Sequence, residues 1–465
     1  MVVPGALAVV AVAVLLYWVG MSRSGYVEAR VPGLDEEPLI TLGGPAGAAE
    51  APKAGEPKRF DGQPSQLTGR WPGFRGAQRD GIVADTTRLA RRWPAEGPKV
   101  LWSVALLGPG HAGPAVDGGC VYVLDYDVEA QADTMRCFSL DDGREIWRNS
   151  YPVAVSENHG MSRTVPAVWE DCVVSLGPKC HVACWDTATG KCRWLLDLVL
   201  QYRAKVPSWY AGQCPLVEDG RVILGPVGDA FLVAVDCRSG KAVWESPKAR
   251  NWHMTHVSIA PMEFAGQRMY VLCASGGVAA ISARDGSELW ETSAWVGNMA
   301  TCPTPVPVGD GKVFFTGGYN AGSLMLQLKQ HGDLIAVEPL WRLKAKQFES
   351  EQHTPILYNG HLYGARTRAG GEQLVCLDLQ GKEMWNSGSQ KIGRGPYLIA
   401  NGLLYALSED GLLVMAEATP EAYRPLGQFQ AIQNATDAWA PMAMASGRLI
   451  LRDLTRMVCL DVTEQ

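Results

Sequence analysis

From Trp71 to the C-terminus, apolar runs of about four to seven residues alternate with turns built on Gly, Asp and Asn. That spacing has the period of strands, not of helices. The runs also recur in a larger unit, roughly every 40–50 residues, the mark of a repeat architecture. Each unit opens on a Pro followed by apolar residues, a turn and a second apolar run. Examples are GPAVDGGCVYV from Gly113, CPLVEDGRVIL from Cys214 and TPILYNGHLYG from Thr354. A later strand ends in an Asp, a turn with Gly and then a Trp, as in CWDTATGKCRW to Trp194 and AVDCRSGKAVW to Trp244. AISARDGSELW to Trp290 and CLDLQGKEMW to Trp385 repeat the form, and Trp147 and Trp341 close two further copies.

Each unit therefore predicts a small antiparallel sheet that cannot cover its own faces. Radial stacking covers them, with the recurrent Trp packed between neighbouring sheets. The Pro-led strands begin at Pro114, Pro166, Pro215, Pro261, Pro305, Pro355, Pro396 and Pro441, so the fold expected is an all-β, eight-bladed β-propeller of four-stranded antiparallel blades. The seventh unit lacks the Trp, and Tyr423 or Leu426 is expected in its place. The eighth stops at Gln465, one strand short. The missing strand is found at the other end, where GPKVLW, from Gly97 to Trp102, has the form of GSELW before Trp290. An N-terminal strand is thus expected to pair with the last blade and close the ring, leaving no exposed edge.

Composition sharpens this picture. With Gly 51, Pro 29 and Trp 16 and only 19% charged residues, the chain favours strands and turns over helices. The net charge of −6 offers no basic face for nucleic acid. Residues 1–21 form an apolar segment expected to act as an uncleaved transmembrane anchor, since bulky Tyr17-Trp18 make a poor cleavage site. No Cys precedes Cys120, so a lipoprotein anchor is not expected. Residues 22–69 are rich in Pro, Gly and Ala and read as a disordered tether, with residues 70–465 as the propeller. The chain is thus expected to be a single-pass protein of the cell membrane, with a monomeric propeller in the periplasm or extracytoplasmic space. The 12 cysteines are scattered. Cys184, Cys376 and Cys459 share one repeat position and read as buried thiols.

The segment WPGFRGAQRDGIV (Trp71 to Val83), the following WPAEGPKVLW and the repeated LD-x-x-TG-x-x-x-W form resemble the PQQ-like β-propeller family over Trp71 to Gln465. Its relatives include BamB-like envelope assembly factors and quinoprotein dehydrogenases. The resemblance implies the fold and leaves two functions open. One is a non-catalytic scaffold or binding protein of the bacterial envelope, with a protein or peptide partner. The other is a PQQ-dependent oxidoreductase. Quinoprotein alcohol dehydrogenases carry adjacent cysteines against PQQ and a Glu, Asn and Asp around Ca²⁺. This sequence has no adjacent Cys pair and no recognisable calcium trio. PQQ with Ca²⁺ is therefore not expected, and neither a catalytic residue nor a resident metal is assigned.

The candidate chemistry lies just before each Pro-led strand, in segments that converge on one mouth of a propeller channel. These hold His111, Arg163, Tyr210, His256, His353, Arg394 and Trp439. Core demands repeat residue types from blade to blade, whereas these differ and are polar or aromatic, so a ligand or partner site is expected there. Trp209, Tyr210 and Trp439 also suit a stacking surface for a carbohydrate. The tryptophans Trp102, Trp147, Trp194, Trp244, Trp290, Trp341 and Trp385 are assigned to blade packing. Gly108–Gly113 matches GxGxxG, but Pro109 and Pro114 forbid the helix that would bind a pyrophosphate. His253 and His256, and Cys180 and Cys184 with Cys192, lack the company of a standard metal site. Asp125, Asp127, Glu129 and Asp133 read as a solvated acidic loop, with Ca²⁺ or a basic partner as the alternatives.

Overall fold

The computed structural model describes residues 51–464 except 157–158, 248–250, 299 and 368–370. The segment expected to be a membrane anchor lies outside the described residues. Among those described, no helix is long and apolar enough to cross a membrane.

Eight sheets form the eight blades expected, each with four sequential or closing antiparallel strands. Blade 2 shows the construction: Ala167–Trp169, Cys172–Leu176, His181–Asp186 and Cys192–Asp197 run from the channel outward. Its outer turn explains the D-x-x-TG signature. Asp186 Oδ1 accepts from the Thr189 amide and hydroxyl, both at 2.7 Å, and the Gly190 amide donates to the Asp186 carbonyl. A bulge between Cys184 and Trp185 then sets Trp194 opposite Cys184, and the same bulge recurs at Cys137/Phe138, Ala280/Ile281 and Cys376/Leu377.

The Trp of one blade sits over the turn Gly of the next. Gly190 has φ +72°, and a Cβ there would come within 2.5 Å of the Trp147 ring. Only Gly fits both demands. The indole of Trp147 donates to the Thr187 carbonyl, and Trp102, Trp194, Trp341 and Trp385 make the matching bond to Leu140, Cys237, Leu379 and Thr419. Five blade interfaces are thereby keyed through the ring and a satisfied N–H, whereas the Trp290 indole donates to Met269 Sδ of its own blade and the Trp244 indole has no hydrogen-bond partner among the described residues.

Blade 7 departs from the sequence expectation. Its bulge lies after Met415, opposite Gly427, so Gly427 occupies the Trp position, not Tyr423 or Leu426. Trp93, from the N-terminal segment, packs against Gly427 and lies 6.3 Å from the Tyr405 ring. Phe429 covers Gly97 in the way a blade Trp covers its Gly. Tyr423 instead packs on Trp385, with ring centroids 5.5 Å apart. Blade 8 takes Lys99–Ala105 as its outermost strand, paired antiparallel with Arg456–Asp461, with Trp102 opposite Cys459.

The described part of the stretch read as tether, from residue 51, makes backbone bonds to blade 1 through Gly55, Phe60, Gly62 and Ser65. Lys58–Arg59 adds to the outer edge of blade 1, opposite Arg148 and Trp147. Backbone pairing to an edge needs no apolar side chains, which is why composition did not show it. Trp71 to Val83 does more than lead into the first blade: it crosses one end of the channel. Trp71 pairs with Val116 of blade 1, and the Val168 amide of blade 2 donates to the Pro72 carbonyl. Arg79 donates to the Val217 carbonyl of blade 3. Arg75 donates to the Thr354 and Pro355 carbonyls of blade 6 at 2.7 and 3.1 Å. Ile82–Val83 then pairs in parallel with Tyr397–Ala400 of blade 7.

Candidate functional site

All eight innermost strands run the same way along the channel, so the segments that precede them meet at one end, here called the upper mouth. A cavity of about 330 Å³ lies there. His111, Arg163, His256, His353, Arg394 and Trp439 all line it, each from a different blade connection. Phe74, from the segment that crosses the channel, lines both this cavity and a second one of about 560 Å³ at the lower end. The lower cavity is bounded by residues between Arg70 and Asp80 and by inner-strand residues such as Trp169, Val217 and Pro307.

His111 is fixed by its own amide, which donates to the Ser162 carbonyl at 2.7 Å, and its ring stacks on Trp439 at 5.0 Å and 20°. Burial, then the nearby Arg163 and Arg452, hold its pKa well below the usual imidazole value. Burial also depresses His256 to about 3 and His353 to about 4, so all three rings are neutral at physiological pH. The His353 ring meets Tyr397 edge-on at 5.9 Å, while its carbonyl accepts from Ser350 and Tyr397. Gly212 leaves room for His256: a Cβ at Gly212 would stand 2.9 Å from Nδ1.

Two guanidinium groups complete the wall. Arg163 donates to the His159 and Gly160 carbonyls, both at 3.1 Å, and burial lowers it only to about 10, leaving it charged. Arg394 lies 2.6 Å from Glu351 and 5.4 Å over the Trp439 ring. For Arg394 the downward pull of burial is outweighed by Glu351, and its pKa rises. Among the described residues, His256 Nδ1, His353 Nε2 and Trp439 Nε1 are buried polar atoms without a hydrogen-bond partner. Such atoms are costly unless something arriving in the cavity satisfies them.

Tyr210 does not line the cavity. Its fully buried side chain turns away, and its hydroxyl bonds the Ser156 amide and carbonyl at 2.9 and 3.1 Å. Trp209 and Tyr210 both hold positive φ, at 62° and 70°, and this twist puts Trp209 on the cavity wall instead. Sequence reasoning also missed Cys302, Glu351 and Tyr319, which line the cavity. Glu351 stands two residues before His353, within the segment already singled out.

The other candidates separate. His256 is buried at the channel while His253 is exposed, so the two do not meet. The acidic loop proves to be a long hairpin. Asp125 is buried against Arg136 at 3.1 Å, and Asp133 accepts from the Tyr151 hydroxyl at 2.6 Å. The register pairs Asp125 with Thr134 and Asp133 with Tyr126, so the two carboxylates lie on opposite faces of the blade and are each buried, which a count of acidic residues does not register. Gly108–Gly113 is a blade connection in which Gly110 bridges to Ser162.

Calcium needs six or more oxygen ligands. The upper cavity offers mainly nitrogen donors, and its one carboxylate, Glu351, is engaged by Arg394. These residues do not fit the calcium and quinone arrangement of the alcohol dehydrogenases, and no catalytic step is derived through it.

Comparison with known proteins gives three findings. A family profile described as outer membrane protein assembly factor BamB matches residues 131–379, more than half of the chain. A search of curated proteins finds no match. Among solved structures, BamB from Moraxella catarrhalis is similar at a TM-score of 0.55 and 11% identity, covering 78% of this chain and 99% of that one. A quinohemoprotein alcohol dehydrogenase from Comamonas testosteroni gives 0.57 and 12%, covering 85% and 81%. A europium-containing methanol dehydrogenase gives 0.60 and 12%, covering 84% and 89%. At such identities the likeness is one of fold.

Proposed function

Because the chain belongs to the family of the outer membrane protein assembly factor BamB, we propose that it is a non-catalytic β-propeller scaffold of the bacterial cell envelope, binding a protein or peptide at the upper mouth. In this reading residues 1–21 anchor the chain in the cell membrane and the propeller stands in the periplasm. The observation that carries it is the upper cavity itself. Three histidines, two arginines and one tryptophan, each from a different blade connection, converge there, and the mouth at the opposite end is crossed by Trp71 to Val83. A repeat that needed these positions for packing alone would fill them with apolar residues, whereas five of the six carry imidazole or guanidinium groups.

The chemistry suits an extended polar segment with an aromatic or acidic side chain. Arg163 supplies a charged donor, Trp439 a stacking face, and the neutral histidines accept or donate one hydrogen bond each. The alternative, a quinone-dependent oxidoreductase, rests on fold likeness and lacks the ligands noted above.

The test places a photo-activated crosslinking residue at Tyr319, on the rim and 58% exposed, or at Leu334, 74% exposed on a blade hairpin. The reading expects a defined envelope protein crosslinked in cells from position 319 and not from 334, and its loss on Arg163→Met. Equal capture from both positions, or capture indifferent to Arg163→Met, would count against it.

A further inference from the structure

Between blades 2 and 3, away from the channel, three thiols from separate parts of the chain meet. Cys172 and Cys184 lie on adjacent strands of blade 2, and Cys237 follows the Val233–Asp236 strand of blade 3. Their Sγ atoms all lie within 4.8 Å of one another, and all three residues are buried. The blade tryptophan fixes the third: Trp194 Nε1 donates to the Cys237 carbonyl at 2.9 Å. Arg193 Nη1 then points at Cys172 Sγ from 3.1 Å, itself held by Asp171 at 2.6 Å and Asp186 at 2.5 Å.

We propose that Cys172, Cys184 and Cys237 form a three-thiolate site for a thiophilic d¹⁰ metal ion, Cu(I) or Zn(II), with Arg193 as a positioning residue over it. Thiolate donors select these ions over hard cations. Packing alone explains three small buried residues, but not a guanidinium aimed at one sulfur. That contact favours a thiolate on Cys172. Hydrogen bonds from the Cys184 and Cys237 thiols, with Arg193 adding to them, hold Cys172 below the usual thiol value, and the same sharing raises Cys184 and Cys237. An arriving ion forms three metal–sulfur bonds; each sulfur still carrying a proton breaks its S–H bond and the proton leaves to solvent, so no sulfur changes oxidation state. Arg193, with a side chain 21% exposed, covers the approach to Cys172.

The test titrates the reduced full chain anaerobically with Cu(I), and in a parallel arm with Zn(II), each against a competing chelator. Uptake of one equivalent of either ion is expected, with proton release and thiolate-to-metal charge-transfer absorbance. Cys184→Ser and, independently, Cys237→Ser are expected to weaken it by at least the roughly hundredfold that losing even a supporting group produces. Cys376→Ser, at the position of Cys184 in blade 6, leaves it unchanged. Thermal melts establish that each variant is folded, and having two trio variants guards against one failing. Absence of stoichiometric uptake of both ions by the folded, reduced protein, or uptake that survives in a folded trio variant, overturns the proposal.

Discussion

The two mouths of the channel are built from the same eight strands and put to different uses. At the lower mouth the chain lays its own segment, Trp71 to Val83, against the inner strands and ties it down through main-chain carbonyls. At the upper mouth it leaves a cavity walled by side chains that differ from blade to blade, several with unsatisfied polar atoms. Backbone pairing closes the lower mouth, and the side-chain-walled cavity of the upper mouth is where the proposed partner binds.

The contrast is broken most severely by removing what both mouths depend on. Trp147→Ala, in a fully buried interblade ring, is expected to cost about 3–5 kcal/mol in a denaturant melt. Arg75→Met strips the crossing segment of its bonds to blade 6. It should cost roughly 3 kcal/mol and raise protease cleavage within residues 70–83, since the carbonyls of Thr354 and Pro355 lose their donor. Trp439→Ala, a partly exposed ring of the upper mouth, should cost only about 1 kcal/mol while abolishing partner crosslinking, separating binding from stability. A separate effect is expected from acid. His256 and His353 titrate near 3 and 4 when folded, against 6.5 for the free side chain. The unfolded chain then binds more protons, so stability is full above about pH 6.5 and falls as pH drops toward 4. His353→Gln should flatten that slope in melts recorded across this window; an unchanged slope would place the acid sensitivity elsewhere.

Much of this was legible in the sequence because a propeller writes its demands repeatedly. The Pro-led strands, the D-x-x-TG turn and the Trp each recur, so blade number and the upper-mouth positions follow from comparing copies. What occurs once was not legible. Trp93 fills the place of the seventh tryptophan from more than 300 residues away in the chain, against Gly427. Arg75 acts through backbone carbonyls that carry no residue signature. Tyr210 and Trp209 are adjacent, and only their left-handed backbone decides which faces the cavity. The thiol trio joins two blades, so no local Cys spacing announces it.

The central claim, that the upper mouth binds a partner and does not carry out quinone chemistry, is tested most directly by titrating the full chain with PQQ and Ca²⁺. Absorbance and the reduction of an artificial electron acceptor by alcohols and sugars are followed together. The account predicts no acceptor reduction at any cofactor concentration. Saturable binding with turnover that is lost in Arg163→Met would contradict it and make the upper mouth an active site.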